Sequence, residues 1–357
     1  MGGIEKVNRA IVKALNDFIS EDVLNANSIS CYDDNTDKKY DLYNIHTCCF
    51  GSKLNFTIKA IKMAKNADIV LVSHINLAFV GILIKFFYPK IKIGLMTHGI
   101  EIWDGQSIHK KYFMNICSRL LAVSRFTAEK LKSVHGIKSV KIHVLSNCLD
   151  PYFEIPTIFE KPNYLLDRYN LQTNQPVLLT ITRISSRDKY KGYDTIIDII
   201  AELKNEFPTI KYLLAGSSDE SERIRIRNLI NLRNLTNDIL LPGFINEQEI
   251  IDHFLLADTF VMPSKKEGFG IVFIEAAACG TTVIAGNKDG SVDALLEGKI
   301  GELVDPDDKV MLKETMRKTL IYKLSINKKK ELSKITEENF SFKNYKSKLL
   351  NELQNFE

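Results

Sequence analysis

Two doubly wound α/β domains are the architecture this sequence predicts, and three observations carry the prediction. Short, nearly continuous apolar runs alternate with helical patterns along most of the chain. The rhythm breaks once, near the middle, and then restarts. The 357 residues are long for one core and sufficient for two of ordinary size. Strands that read as unbroken apolar runs are buried on both faces, which is the state of a parallel sheet covered by helices.

In chain order, the first strand-like runs are "DIVLVS" (68–73), "IKIGLMTH" (91–98), "SRLLAVS" (118–124) and "KIHVLSN" (141–147). The segment "SNCLDPYFEIPTIFEKPNY" then brings three prolines and no clear period, as an interdomain connection would. Strands resume at "PVLLTITRI" (176–184) and continue through "IKYLLAG" (210–216), "DILLPGF" (238–244), "DTFVMPS" (258–264) and "TTVIAG" (281–286). Between them lie helical segments such as "YDTIIDIIAELKNEF", where Ile196, Ile197, Ile199 and Ile200 give a core face. "SFKNYKSKLLNELQ" reads as a final polar helix. The expected domains are 1–157 and 158–339, with a helix of about 340–357 packing back on the first. Ligands are expected where strand C-termini line a cleft between the domains.

Composition narrows the function classes. The longest apolar run, Leu77 to Ile84, is far below the roughly 20 residues that span a bilayer, and no basic-then-apolar signal precedes it. A soluble chain is expected. The six cysteines, Cys31, Cys48, Cys49, Cys117, Cys148 and Cys279, contain no C-x-x-C pair, which predicts reduced thiols in a cytoplasmic protein. Charge is uneven: residues 1–160 hold 20 Lys+Arg against 15 Asp+Glu, and the rest 28 against 29. That excess suits an anionic membrane surface or substrate and is too small for nucleic acid.

The chemistry concentrates in "EGFGIVFIEAAACG" (267–280). Glu267 follows a strand, Gly268 and Gly270 allow close backbone approach, and the following helix offers free N–H groups to an anion. Glu275 sits in an Ala-rich helix able to face the same cleft. Carboxylates cannot bind phosphate, so they should accept hydrogen bonds from hydroxyls. A ligand with sugar hydroxyls and phosphates fits both demands. After an earlier strand, Arg183 and Lys191-Gly192 bracket a loop into a helix, and two cations there suit a departing diphosphate. Taken singly, Glu267 reads first as an N-terminal helix charge, and Glu275, Arg183 and Lys191 as surface residues; it is their combination that weakens the bland reading.

In order, Arg183, Lys191-Gly192, "AG" (215–216), "LPGFI" (241–245), "PSKKEGFG" and "EAAACGTTVIAG" resemble the retaining GT-B glycosyltransferases of family 4. So do "GGIEKV" (2–7), "THGIE" (97–101), "AVSRFTAEKL" (122–131) and "SNCLD" (146–150), so the likeness covers nearly the whole chain. The resemblance implies a GT-B fold, two Rossmann-like domains facing across a cleft. It implies that Arg183 and Lys191 hold the donor diphosphate and that Glu275 accepts hydrogen bonds from the ribose. Glu267 would contact the donor sugar, joined by the backbone from Gly268 through Phe269 and Gly270. The backbone near Phe244 and Ile245 would face the base, and His98 would reach the sugar and reaction centre. Gly2 and Gly3 would form a phosphate-proximal loop. Cys148 departs from the family's usual glycine, which puts a tight turn there in question.

Further expectations follow from the resemblance. The enzyme would move a hexose from a nucleotide diphosphate-sugar to a glycan or lipid-linked glycan hydroxyl, with retention, no metal and no cofactor beyond the donor. Polysaccharide or lipopolysaccharide assembly, with peripheral contact of the N-terminal domain at the inner membrane face, would be its setting. The family's members usually place a short apolar strand ahead of the Gly-Gly, and this chain starts Met1-Gly2-Gly3. Either another segment fills that central slot or the sequence begins downstream of its natural start. Two rivals are a GT-B nucleotide-sugar epimerase and a non-catalytic sugar-nucleotide-binding partner. His74 reads as structural, the "DPDD" at 305–308 as a proline turn and Arg223, Arg225 and Arg227 as a solvated helix face. No G-x-G-x-x-G follows a strand and no P-loop motif occurs, which removes the simplest dehydrogenase and NTPase readings.

Overall fold

The computed structural model describes residues 2–356. The chain divides into two compact units, Met1–Phe153 with Phe340–Glu357, and Glu154–Asn339.

In the first unit, the helix Gly3–Ser20 buries Val7, Ala10, Ile11, Ala14 and Phe18, spacings of three and four that place all five on one face. Strands β1 (Ser28–Ser30) and β2 (His46–Cys48) form a parallel pair. A separate parallel sheet runs in the order β3 (Ile69–Val72), β4 (Lys92–Thr97), β5 (Arg119–Ala122), β6 (Ile142–Val144). Among the described residues no strand joins the pair to this sheet. Buried Ile93, Leu95, Met96, Leu120 and Leu121 put β4 and β5 at its centre. The helix Phe342–Gln354 belongs to the same unit: Arg119 donates to the Glu352 carboxylate at 2.5 Å, and Lys346 to Glu21 at 2.7 Å.

The second unit holds one six-stranded parallel sheet. Its strands are β7 (Val177–Ile181), β8 (Lys211–Ala215), β9 (Ile239–Gly243), β10 (Thr259–Met262), β11 (Thr282–Gly286) and β12 (Glu302–Val304). The spatial order is β12-β11-β10-β7-β8-β9, so the winding reverses between β7 and β10. The four isoleucines of the helix Tyr193–Leu203 are all buried against this sheet. Pro242 lies in β9, an edge strand, where the register against β8 shifts between Leu213 and Ala215, the edge-and-bulge setting that tolerates a residue without an N–H.

All nine expected strands are present. The three that were not expected, "SIS", "HTC" and "ELV", are three residues long and have no apolar run to announce them. Three local expectations are corrected. Gly2 is an N-cap and Gly3 the first residue of a helix, so the pair is a helix start and not a loop. Cys148 is not among the residues with positive φ, so its turn needs no glycine. Arg225 is half-buried and paired with Asp194 and Glu222, each at 2.7 Å, whereas Arg223 lies exposed.

Candidate functional site

In an open α/β sheet the crevice at the reversal of winding is where loops leave in opposite directions and a ligand can enter. In the second unit the loops after β7 and β10 flank that point. They carry Arg183, Lys191 and Glu267.

The β7 loop begins with Arg183, whose Nε and Nη2 donate to Asp188 Oδ2 and Oδ1 at 2.6 and 3.0 Å. Asp188 is buried, and Tyr190 Oη also donates to it, at 3.1 Å. Burial opposes the Asp188 charge, but the bonds from Arg183 and Tyr190 outweigh it and hold its pKa below the usual carboxylate range. The Arg183 side chain remains 69% exposed, so its guanidinium is steadied on one side and open on the other.

Lys191 stands at the far end of this loop, its side chain only 15% exposed and paired with the Glu267 carboxylate. Burial pulls the Lys191 pKa down to about 8, against the raising effect of Asp188 and Asp289. Gly192 follows at φ +83°, and a Cβ there would stand 2.8 Å from Pro263 Cγ. Only glycine allows the β7 loop to lie this close to the β10 loop. The backbones also join directly, since Lys265 N–H donates to Tyr190 O at 3.0 Å.

Beyond Glu267, Gly268 is half-buried, Phe269 is buried and Gly270 is the N-cap of the helix Ile271–Ala278. With the Phe269 ring inside the core, the backbone of this stretch is the part left to meet a ligand. Glu275 is the fifth residue of that helix and 3% exposed, which rules out the surface position it could have held. Phe244 and Ile245 follow β9 at the same end of the sheet, the first ring exposed and the second side chain buried.

His98, Gly2 and Gly3 belong to the first unit. His98 follows β4, and its Nε2 lies 2.7 Å from Ser73 O. A carbonyl only accepts, so that nitrogen carries the proton and the neutral ring leaves Nδ1 as an acceptor. His98 N–H donates to Glu101 Oε1 at 2.5 Å. Burial lowers the His98 pKa, opposed by Glu101 and the Ser73 bond. His74 stacks on it with centroids 6.3 Å apart, and its own Nδ1 accepts from Asn76 N–H, a helix-capping role.

The "DPDD" carboxylates are already engaged: Lys288 reaches Asp305 at 2.7 Å and Asp307 at 2.9 Å, and Lys265 also pairs with Asp307. Among the described residues no group of three His, Cys, Asp or Glu is placed to hold a metal. A groove of about 660 Å³ in the first unit, lined by Lys65, Phe87, Lys90 and Phe356, lies at the N-terminal ends of β3 and β4 and contains none of the expected residues.

Three residues escaped the sequence reading. Asp188 and Tyr190 sit in the polar run "SSRDKYKG", and Asp289 in "NKDGS", which reads as an ordinary turn. No spacing rule marks them: Asp188 and Tyr190 act through side-chain bonds inside their own loop, and Asp289 acts on a peptide of another loop.

Comparison with known proteins adds a second line. The family model described as Glycosyl transferases group 1 matches residues 165–339, and that described as Glycosyltransferase Family 4 matches residues 1–153. A GDP-mannose-dependent α-(1-6)-phosphatidylinositol monomannoside mannosyltransferase of Mycolicibacterium smegmatis is 27% identical over 231 residues, 61% of this chain and 58% of the relative. Mannosylfructose-phosphate synthase of Agrobacterium fabrum is 26% identical over 216 residues, 59% of this chain and 46% of the relative. The chain thus spans about half the length of the curated relatives it matches. Anabaena HepE, solved with UDP, superposes with a TM-score of 0.79 at 18% identity, covering 99% of this chain and 96% of that one. A glycosyltransferase from Rickettsia africae gives 0.78 at 22%, covering 98% and 94%. These likenesses fix the fold as GT-B, with two Rossmann-like domains.

Proposed function

We propose that this chain, which belongs to glycosyltransferase family 4, moves a hexose from a nucleotide diphosphate-sugar to a hydroxyl of a glycan or lipid-linked glycan. The observation that carries the reading is the convergence at the winding reversal of two cations, Arg183 and Lys191, with the Glu267 carboxylate. A diphosphate takes the cations and the helix N-terminus at Gly270. Glu267 then turns to the donor sugar, Glu275 to the ribose, and the backbone at Phe244 and Ile245 to the base. His98 keeps the role given by resemblance, contact with the sugar.

Retention follows from front-face transfer. The bond from the anomeric carbon to the diphosphate oxygen breaks as the bond to the acceptor oxygen forms on the same face. The acceptor proton passes to the departing phosphate oxygen. Arg183 and Lys191 supply the charge that a metal would otherwise bring, so transfer needs no metal and no cofactor.

The acceptor reading has its own support in the first unit. Phe79, Phe86 and Phe87 are exposed on the helix Ala78–Phe87, and Leu54, Ile58, Lys53 and Lys62 on the neighbouring helix Lys53–Ala64. Apolar side chains among lysines suit peripheral contact with an anionic membrane, where lipid-linked glycans are met. No helix of the described residues is long and apolar enough to cross one.

A thermal-shift panel of UDP-, GDP- and ADP-sugars identifies the donor. Labelled donor is then given without acceptor and with membrane extract. Label moved to an acceptor supports transfer, epimerised donor replaces it with the epimerase reading, and binding without turnover replaces it with a sugar-nucleotide-binding partner.

A further inference from the structure

Asp289 is 1% exposed in the segment between β11 and β12. Its Oδ2 accepts the Glu267 N–H at 2.6 Å, and its Oδ1 accepts the Ser291 N–H at 2.9 Å. In return, Gly290 N–H donates to Glu267 O at 2.8 Å. Both peptide groups of Glu267 are therefore held by one three-residue segment, and its side chain is the part left free to turn toward Lys191. The fit is close as well: a Cβ on Gly290 would stand 2.0 Å from Gly268 O, so no larger residue permits this approach. A carboxylate suits the place better than an amide, since both oxygens must accept and an amide has only one acceptor atom. A surface turn would not bury a carboxylate this deeply. Burial raises the Asp289 pKa to about 7, with the Ser291 bonds and the Lys191 charge opposing the rise.

We propose that Asp289 is a positioning residue for donor-sugar use: it fixes the Glu267 peptide so that the Glu267 carboxylate stands between Lys191 and the sugar. The proposal rests on the reading of Glu267 as the sugar contact. It assigns Asp289 no contact with the nucleotide itself. Losing Asp289 should therefore damage sugar use and spare nucleotide affinity, a separation that general loosening of the fold would not produce.

The test compares D289N, G290A and E267Q with the unaltered chain, using UDP-glucose with UDP and GDP-mannose with GDP. In D289N the amide must turn its NH₂ toward one of the two N–H donors. Loss of that hydrogen bond to a charged group should lower kcat/KM for the accepted donor about tenfold or more. The Kd of the matching nucleoside diphosphate should change less than about threefold, because binding made before the sugar is engaged is untouched. G290A pushes on Gly268 O without altering any charge and should show the same split. Hydrogen exchange provides a readout independent of turnover: the Glu267 amide should be protected in the unaltered chain and exchange faster in D289N. The positioning role is overturned if D289N uses donor as well as the unaltered chain. It is equally overturned if nucleotide affinity falls in step with donor use, or if the Glu267 amide of the unaltered chain exchanges like a free loop. E267Q separates the two layers. If E267Q is impaired and D289N is not, the positioning role fails alone; if E267Q uses donor normally, the reading of Glu267 fails and the proposal with it.

Discussion

Arg183 and Lys191 stand at the two ends of one loop and are assigned to one diphosphate, yet their settings are opposite. Arg183 is open to solvent, with a buried aspartate behind it. Lys191 is mostly shielded, its side chain 15% exposed, with a glutamate across the crevice in front of it. An arginine keeps its charge at any ordinary pH and presents a planar fork, so steadying one edge leaves the other ready. A buried lysine holds its charge only while a partner repays the lost hydration. One cation is thus permanent and the other conditional. The difference teaches that the site combines a fixed anchor with a group whose state depends on what lies opposite it.

The largest expected effects come from removing either cation. Lys191→Ala and Arg183→Ala should each lower transfer by roughly 10²-fold or more, since each removes charge stabilisation from the leaving diphosphate. Stability should separate them. Lys191→Ala leaves the mostly shielded Glu267 carboxylate without its cation, a loss of up to about 3–5 kcal/mol, the value for a fully buried pair. Arg183→Ala should cost less, because Tyr190 still donates to Asp188. Equal melting temperatures for the two variants would break the comparison; near-native transfer in both would remove the diphosphate assignment.

The glutamates give the next effect. Glu275→Ala should weaken binding of the free nucleoside diphosphate by about tenfold, the worth of a hydrogen bond to a charged group. Glu267→Ala should spare that binding and damage donor use. Equal loss of nucleotide affinity in both would erase the division between sugar and ribose.

A pH series sharpens the contrast between the cations. Lys191 is charged below its pKa of about 8 and neutral above it, so kcat/KM for the donor should fall as pH rises through that value. Bound diphosphate favours the charged form, so kcat should vary less than kcat/KM. Lys191→Arg should flatten the alkaline limb. A limb unchanged in Lys191→Arg would move the titration to another group. The smallest effect is none at all: EDTA should leave transfer unchanged. Loss on chelation, restored by Mg²⁺ or Mn²⁺, would overturn the metal-free reading.

The sequence announced the parts of this molecule whose signal is local. β10 carries Phe260, Val261 and Met262 in a row, and the helix Tyr193–Leu203 carries its isoleucines at core spacing, so both could be read without knowing their neighbours. β1 and β2 could not, because "SIS" and "HTC" gain their identity only by pairing with each other. The same limit applies at the site. Arg183, Lys191, Glu267 and Glu275 stood out through their places after strands and through a family pattern. Asp188 and Asp289 did not, because their meaning lies in what each holds: a guanidinium five residues back in one case, and a peptide from another loop in the other. Cys148 shows the reverse error, a departure from pattern that the backbone absorbs without positive φ.

Pro242 has a consequence for how copies of this protein meet in a crowded solution. An open sheet ends in a row of unpaired amides and carbonyls, a template on which another chain can lay a strand. On one border of the six-stranded sheet, Pro242 has no N–H to offer and the strand's register shifts beside it; on the other, β12 is only three residues long. Neither border offers the long, regular ladder on which edge-to-edge growth begins, so the sheet is guarded against self-association by one imino acid and one brief strand.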